Sequence, residues 1–138
     1  MQSFNPIALC LLLATALPVW AQQGPNDIEM LKKYAGSWAV DCSKAAGARL
    51  TVDTQSLSLS AGGKQLRTGP PLSAFSYFGK QAPPAGFDVA LLGEAKPTGL
   101  SLLAMKDATG PYLTVDADPP LRKQFGDKAL AGKFRLCP

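Results

Sequence analysis

The sequence of 138 residues contains no histidine and only two glutamates, Glu29 and Glu94. Without histidine it has neither a Ser-His-Asp triad nor a Cys-His pair, and it lacks the most common general base of enzymes. The other eight acidic residues are aspartates, spread over predicted turns and strand ends. Two carboxylates could still act together as acid and base, which keeps a hydrolase as a third hypothesis. The prediction is nevertheless that the protein is not an enzyme.

Ligands for metals and for nucleic acids are also scarce. Three cysteines and no histidine leave a soft-metal site short of ligands. Asp116 and Asp118 could offer oxygen ligands to calcium, but no loop of spaced ligands accompanies them. The 14 lysines and arginines give a net charge of +4 and are scattered, without the dense basic run that is typical of nucleic-acid binding. We therefore predict no metal, no cofactor and no nucleic-acid partner.

Long apolar runs are absent except near the amino terminus, where residues 7–17 are almost wholly apolar. This run has the length of a secretory core and is too short to span a bilayer, which takes about 20 residues. Val19 and Ala21 occupy the −3 and −1 positions that a signal peptidase reads. Residues 1–21 are therefore predicted to be a signal peptide cleaved before Gln22, with a buried N-terminal helix as the alternative. A periplasmic or secreted location follows, with no stable membrane span after cleavage.

The remaining residues, 22–138, have the size of a single domain and contain two cysteines, Cys42 and Cys137. An exported protein is expected to oxidise such a pair, and two cysteines allow only one pairing. This disulfide would hold the first strand beside the last, as in an antiparallel sheet that closes on itself. Because Phe134 and Leu136 alternate with the final cysteine, we expect the last strand to end before it.

A short amphipathic helix is predicted at the start of the domain. Asn26 is a good N-cap, and Glu29 stands three residues later, where its carboxylate can return to the Asn26 amide. Ile28 and Leu31 begin an apolar stripe with helical spacing. Gly36 can end the helix in a left-handed conformation.

After the helix the apolar residues recur with a period of two, which is typical of half-buried strands. Turn residues separate the runs at regular intervals, and an aspartate-proline-proline sequence at 118–120 predicts a second short helix. The predicted strands are 37–42, 49–53, 56–60, 64–68, 72–78, 87–92, 100–105, 112–115 and 133–137. The fold class is therefore mainly β, a small antiparallel β-barrel or sandwich of eight or nine short strands with a short N-terminal helix, closed by one disulfide.

Two groups of residues are candidates for binding. Phe75, Tyr77 and Phe78 cluster at the end of one predicted strand, where strict alternation places aromatic rings on both faces. Either both faces are covered by the core, or Phe75 and Tyr77 form an exposed contact patch. Glu94 and Lys96 lie at the tip of a predicted hairpin, where a protein inhibitor could insert into the cleft of an enzyme. An ordinary solvated turn is the alternative for this loop.

Gly36, Ser37 and Trp38 open the first predicted strand directly after the short helix. This sequence resembles the Gly-x-Trp signature of lipocalin-like (calycin) barrels, and in this feature the chain is similar to small periplasmic inhibitor barrels of Gram-negative bacteria. The resemblance implies an up-and-down barrel with Trp38 packed at its closed end. It also implies a late basic residue packed across that tryptophan, for which Arg135 is the candidate.

The leading hypothesis is an exported, non-catalytic binding domain, and its sharpest version is a protein inhibitor or immunity-type protein of the periplasm. A structural or assembly accessory of the cell envelope is one alternative. A carrier of a small apolar ligand is another, and it would need an apolar cavity at the Trp38 end of the fold. The expected partner is thus an envelope protein or a small ligand.

Overall fold

The structure, a computed structural model, describes residues 22–77 and 81–138. The predicted signal peptide and Phe78 lie outside these residues. No helix in the described part of the chain is long and apolar enough to cross a membrane.

Helix α1, Pro25–Lys33, begins two residues earlier than the sequence predicts. Its N-cap is Gly24, whose N–H donates to the Asp27 carboxylate over 2.7 Å. The prediction of Asn26 as N-cap and Glu29 as its returning acid is therefore wrong. The physical reason is that proline is favoured at the first helical position, where its missing N–H costs nothing.

Nine antiparallel strands and two further helices follow in the described residues. They are β1 Gly36–Ala39, β2 Arg49–Val52, β3 Leu57–Ala61, β4 Lys64–Arg67, β5 Leu72–Ala74, β6 Phe87–Gly93, β7 Leu100–Asp107, β8 Gly110–Asp116, α2 Pro119–Phe125, α3 Asp127–Leu130 and β9 Arg135–Leu136. Sheet A has five strands in the order β4-β3-β2-β1-β9, and sheet B has four in the order β5-β6-β7-β8. The mainly β fold and the short N-terminal helix are thus confirmed.

The first and last strands pair, as predicted. Trp38 lies opposite Leu136 in the antiparallel register of β1 and β9. Cys42 and Cys137 form a disulfide with their Cα atoms 5.6 Å apart. Strand β9 ends before Cys137, whose N–H donates to the Ser37 carbonyl over 2.8 Å.

The two sheets are hydrogen-bonded to each other at two places. Leu113 of β8 and Phe134, the residue before β9, form an antiparallel bridge with N–O distances of 2.8 and 2.9 Å. At the other side, the N–H of Gly69, between β4 and β5, donates to the Glu94 carbonyl over 2.9 Å. Sheet A therefore continues into sheet B through its last strand, and the β4–β5 connection contacts the end of β6.

The core lies between the inner faces of the two sheets, and the helices contribute to it. Because side chains alternate along a strand, each strand contributes every second residue. The fully buried side chains are Leu31, Trp38, Leu50, Val52, Leu57, Leu59, Val89, Leu91, Leu100, Leu102, Leu113, Leu121 and Phe134. Burial of these side chains is the main stabilising contribution to the fold.

Two predicted strands are shorter in the structure. The run 72–78 forms only β5, which ends at Ala74; at its free edge the Ser73 N–H and hydroxyl both donate to the Asp27 carboxylate of helix α1 over 2.7 Å. The run 37–42 ends at Ala39, so Val40 is 56% exposed and does not continue the inward row of Trp38.

Candidate functional site

The outer faces of the two sheets differ in chemistry. The outward rows of sheet A are polar: Ser37–Thr51–Ser58–Arg67 and Ala39–Arg49–Ser60–Gln65, reading across the paired strands. The corresponding rows of sheet B are largely apolar: Leu72–Leu92–Ser101–Asp116 and Ala74–Ala90–Leu103–Thr114. We define the outer patch as the apolar residues of these rows, Leu72, Ala74, Ala90, Leu92 and Leu103, together with Phe75, which follows β5 directly and is exposed.

Leu92 is the most exposed leucine of the outer patch, at 39%. Two hollows adjoin it. The smaller one, of about 270 Å³, lies between Leu92 and Leu103 and has Tyr77 as a wall. Its remaining lining includes Ala74 and Ala90, whose short side chains leave this space open.

The larger hollow, of about 710 Å³, lies on the other side of Leu92 and is lined by Leu72, Pro70 and Glu94. The segment before α1 closes one side. There the Gln23 side-chain amide donates to the Thr54 and Pro71 carbonyls over 2.7 and 2.8 Å, which fixes the segment in place. Leu92 therefore stands as an apolar ridge between two concave surfaces.

The predicted aromatic cluster is divided. Phe75 is 58% exposed and belongs to the outer patch, directly after β5. Tyr77 is half-buried and packs edge-on against Phe87 with ring centroids 5.5 Å apart. Phe78 lies outside the described residues. The seven-residue alternation on which the two-face argument depended does not exist, because β5 ends at Ala74.

Glu94 and Lys96 lie in the connection from β6 to β7, and both are exposed. The structure places Glu94 in the lining of the larger hollow, beside Leu92. The loop that carries them is packed on the body of the protein. Thr98 is 5% exposed, and its hydroxyl donates to the Asp118 carboxylate over 2.6 Å. The same carboxylate caps α2, as predicted, by accepting from the Leu121 N–H.

The Trp38 end of the fold contains a hydrogen-bonded group. Trp38 is 2% exposed, and its Nε1–H donates to the Tyr34 carbonyl over 2.9 Å. The Tyr34 hydroxyl donates to Asp88, whose carboxylate also lies 2.9 Å from the Lys33 Nζ. Burial first, and the bond to Asp88 second, raise the pKa of Tyr34 far above its ordinary value. The Tyr34 hydroxyl and Lys33 lower the pKa of Asp88.

Arg135 does not pack across Trp38. It is next to Leu136, which is the strand partner of Trp38, so its side chain leaves the opposite face of β9. There its guanidinium binds the Asp107 carboxylate at 2.6 and 3.1 Å and stacks on the Tyr112 ring at 4.9 Å. Arg135 thus connects the last strand to the β7–β8 hairpin, and its ion pair keeps the pKa of Asp107 well below the usual range.

The carboxylates are mostly engaged locally. Asp27, Asp53 and Asp118 accept backbone N–H groups at helix starts or turns. Asp88 and Asp107 form ion pairs with basic residues. In residues 22–77 and 81–138, no group of three or more aspartates, glutamates or cysteines is placed to hold a metal ion.

Comparison with known proteins found no matching family model, curated protein or solved structure.

Sequence reasoning missed the outer patch apart from Phe75. The available signal was in β6 and β7, where Val89-Ala90-Leu91-Leu92 and Leu102-Leu103-Ala104-Met105 are apolar at consecutive positions. Such continuous runs are typical of strands that are covered on both faces. In this antiparallel sheet they indicate a second apolar face beyond the core.

Proposed function

We propose that this chain is an exported, non-catalytic domain that binds a protein partner through the outer patch of sheet B. The observation that carries the proposal is the exposure of Leu92, at 39%, on the outer face of a sheet whose other face already forms the core, together with that of Phe75, at 58%, directly after β5. Exposed aromatic and aliphatic side chains beside concave surfaces are typical of protein-binding sites. In its sharpest form the proposal is an inhibitor or immunity-type protein.

Export is supported by two features. Residues 1–21 have the pattern of a signal peptide. The Cys42–Cys137 disulfide suits an oxidising compartment, where such bonds form and persist. We therefore propose a periplasmic or secreted location.

We also propose that the two sheets form a flattened barrel of the lipocalin-like type. Its support is the strand order, in which neighbours in the sheets are neighbours in the chain and β1 meets β9. The Leu113–Phe134 bridge and the Gly69–Glu94 hydrogen bond lie where such a barrel would close. Trp38 is buried at the start of β1, as the resemblance implies, whereas Arg135 departs from the pattern by stacking on Tyr112.

The non-catalytic part of the proposal rests on chemistry. The sequence has no histidine, and both cysteines of the described domain are consumed by the disulfide. The ion pairs and caps formed by Asp27, Asp88, Asp107 and Asp118 leave these carboxylates without the freedom of a general acid.

Site-specific photo-crosslinking in the expressing cell tests the proposal. A photoreactive amino acid replaces Phe75 in one variant and Ser60, on the polar outer face of sheet A, in a matched control. We expect one defined adduct from position 75 and none from position 60. Equal adducts from both positions, or none from position 75, would contradict a docking surface on sheet B.

The partner recovered in this way separates an inhibitor from an accessory of the envelope. An inhibitor-like protein should lower the activity of the cross-linked partner in proportion to the complex formed. An assembly accessory should co-purify with an envelope complex and leave the rate of every enzyme in it unchanged.

A further inference from the structure

We propose that the cleft beside Trp38 binds a small ligand with an apolar body of one or two rings and a single anionic group. We call it the Trp38 cleft and define it by Lys33, Tyr34, Trp38, Phe87, Lys106 and Leu136. It lies at the end of the fold where α1 meets β1, apart from the outer patch. It does not depend on the proposed protein partner.

The size and the lining of the Trp38 cleft suit such a body. Its volume is about 530 Å³, within the range of roughly 300–1,000 Å³ in which proteins bind small molecules. Leu136 is 52% exposed, although its strand partner Trp38 is 2% exposed. It leans over the start of β1, where Gly36 has no side chain; a Cβ there would lie 2.7 Å from the Leu136 Cδ1.

The floor of the cleft is fixed before any ligand arrives. The Trp38 Nε1–H is bonded to the Tyr34 carbonyl, and the Tyr34 hydroxyl is bonded to Asp88. Because these polar atoms already have partners, the two nearly buried rings form a fixed floor, and the exposed apolar surface of the cleft comes from Leu136. A floor held in this way loses little conformational entropy on binding.

The charge at the rim selects an anion. Asp88 is occupied by Tyr34 and Lys33. On the opposite rim, the Lys106 ammonium has no acidic partner within the described part of the chain. Its backbone is held close to Gly86, whose carbonyl accepts the Lys106 N–H over 2.9 Å and whose φ of +84° needs a glycine.

The charges of the lining act in the same direction. Its two lysines, Lys33 and Lys106, are accompanied by one carboxylate, that of Asp88, which is paired with Lys33. The lining therefore carries one uncompensated positive charge. A carboxylate or sulfonate on the ligand would find a favourable potential there.

The test uses the full chain with Trp20→Phe, in which Trp38 is the only tryptophan. The probes are 8-anilinonaphthalene-1-sulfonate and its neutral relative N-phenyl-1-naphthylamine, which lacks the sulfonate. We expect saturable binding of the anionic probe with energy transfer from Trp38, and a higher Kd for the neutral probe. Absence of transfer from Trp38, or equal Kd values for the two probes, would overturn the proposal.

Charge variants locate the anionic group. Lys106→Glu should raise the Kd of the anionic probe about tenfold and leave that of the neutral probe within about twofold. Lys123→Glu, an exposed position on α2, makes the same change in net charge and should have no such effect. Equal effects of the two substitutions would show that only overall charge matters and would contradict the site.

Two further variants separate this site from the outer patch. Leu136→Ser should weaken both probes, whereas Leu92→Glu should leave transfer from Trp38 unchanged. Thermal unfolding of each variant checks that binding is not to a loosened fold. Loss of transfer in Leu92→Glu would place the probe on sheet B and overturn the Trp38 cleft, without bearing on the protein partner.

Discussion

Sheets A and B cover the same core but present different outer faces. Across sheet A the outward side chains are serine, threonine, glutamine and arginine, with Ala39 as the one apolar member of the two rows. Across sheet B the outward positions include Leu72, Ala90, Leu92 and Leu103, although the inward positions already supply a complete apolar layer. Folding requires only the inner layer. The difference teaches that the core alone does not account for the apolar outer layer of sheet B, which is the reason for proposing a binding role there.

The largest expected effect on stability is that of the Cys42–Cys137 disulfide, which joins the segments that follow β1 and β9 of sheet A. Replacing both cysteines, Cys42→Ser with Cys137→Ser, should lower the free energy of unfolding by about 4 kcal/mol, because the bridge closes a long loop. Hydrogen exchange should show a loss of protection in both sheets that is larger in β1 and β9 than in β6–β8. An even loss of protection in both sheets would contradict a local role of the disulfide.

Two neighbouring leucines on β7, one on each face of sheet B, allow the contributions of the two faces to stability to be compared directly. Leu102 is fully buried and Leu103 is partly exposed on the outer face. Leu102→Ala should lower the free energy of unfolding by about 3 kcal/mol because it leaves a cavity in the core. Leu103→Ala should cost less than about 1 kcal/mol. Urea unfolding measures both, and similar losses would mean that the outer face is a second core.

The contact between the two sheets through Arg135 and Asp107 should depend on pH. The pKa of Asp107 is lower in the folded state than in the unfolded chain, so the ion pair stabilises the fold above about pH 4. Its contribution is lost as the pH falls below about 4 toward the folded pKa. Asp107→Asn should therefore lower the urea midpoint of unfolding at pH 7. The difference in urea midpoint between this variant and the parent chain should become smaller below about pH 4. A difference in midpoint that does not change with pH would contradict a stabilising ion pair.

The smallest effect on stability is expected at the outer patch itself. Leu92→Ser should change the free energy of unfolding by less than about 1 kcal/mol, since the leucine is 39% exposed. The same substitution should abolish the adduct formed from position 75. Loss of the adduct together with a large fall in stability would instead indicate a packing role for Leu92.

Local signals in the sequence were sufficient for several elements. The short helix that begins after Asp118 and the cysteine pairing were predicted, because each depends on residues near in sequence or on a single possible pairing. The early end of β5 was not predictable in this way. The cover of its free edge by helix α1 was not predictable either, since it rests on the contact of Ser73 with Asp27, 46 residues earlier.

The candidate site was predicted only in part for a similar reason. Phe75 and Glu94 were named from the sequence and lie at the outer patch and in the lining of its larger hollow. Leu72, Leu92 and Leu103 come together only through strand register, which the sequence left open. Arg135 was assigned to Trp38 by resemblance, whereas the register of β9 turns it toward Asp107.

The most direct test of the central claim is the affinity of the cross-linked partner for two matched variants. Leu92→Glu places a charge on the outer face of sheet B, and Ser60→Glu places the same charge on the outer face of sheet A. We expect the Kd to rise at least about tenfold for Leu92→Glu, because the charge would be buried on binding. For Ser60→Glu it should stay within about twofold of the parent chain. Equal Kd values for the two variants would contradict a binding role for sheet B.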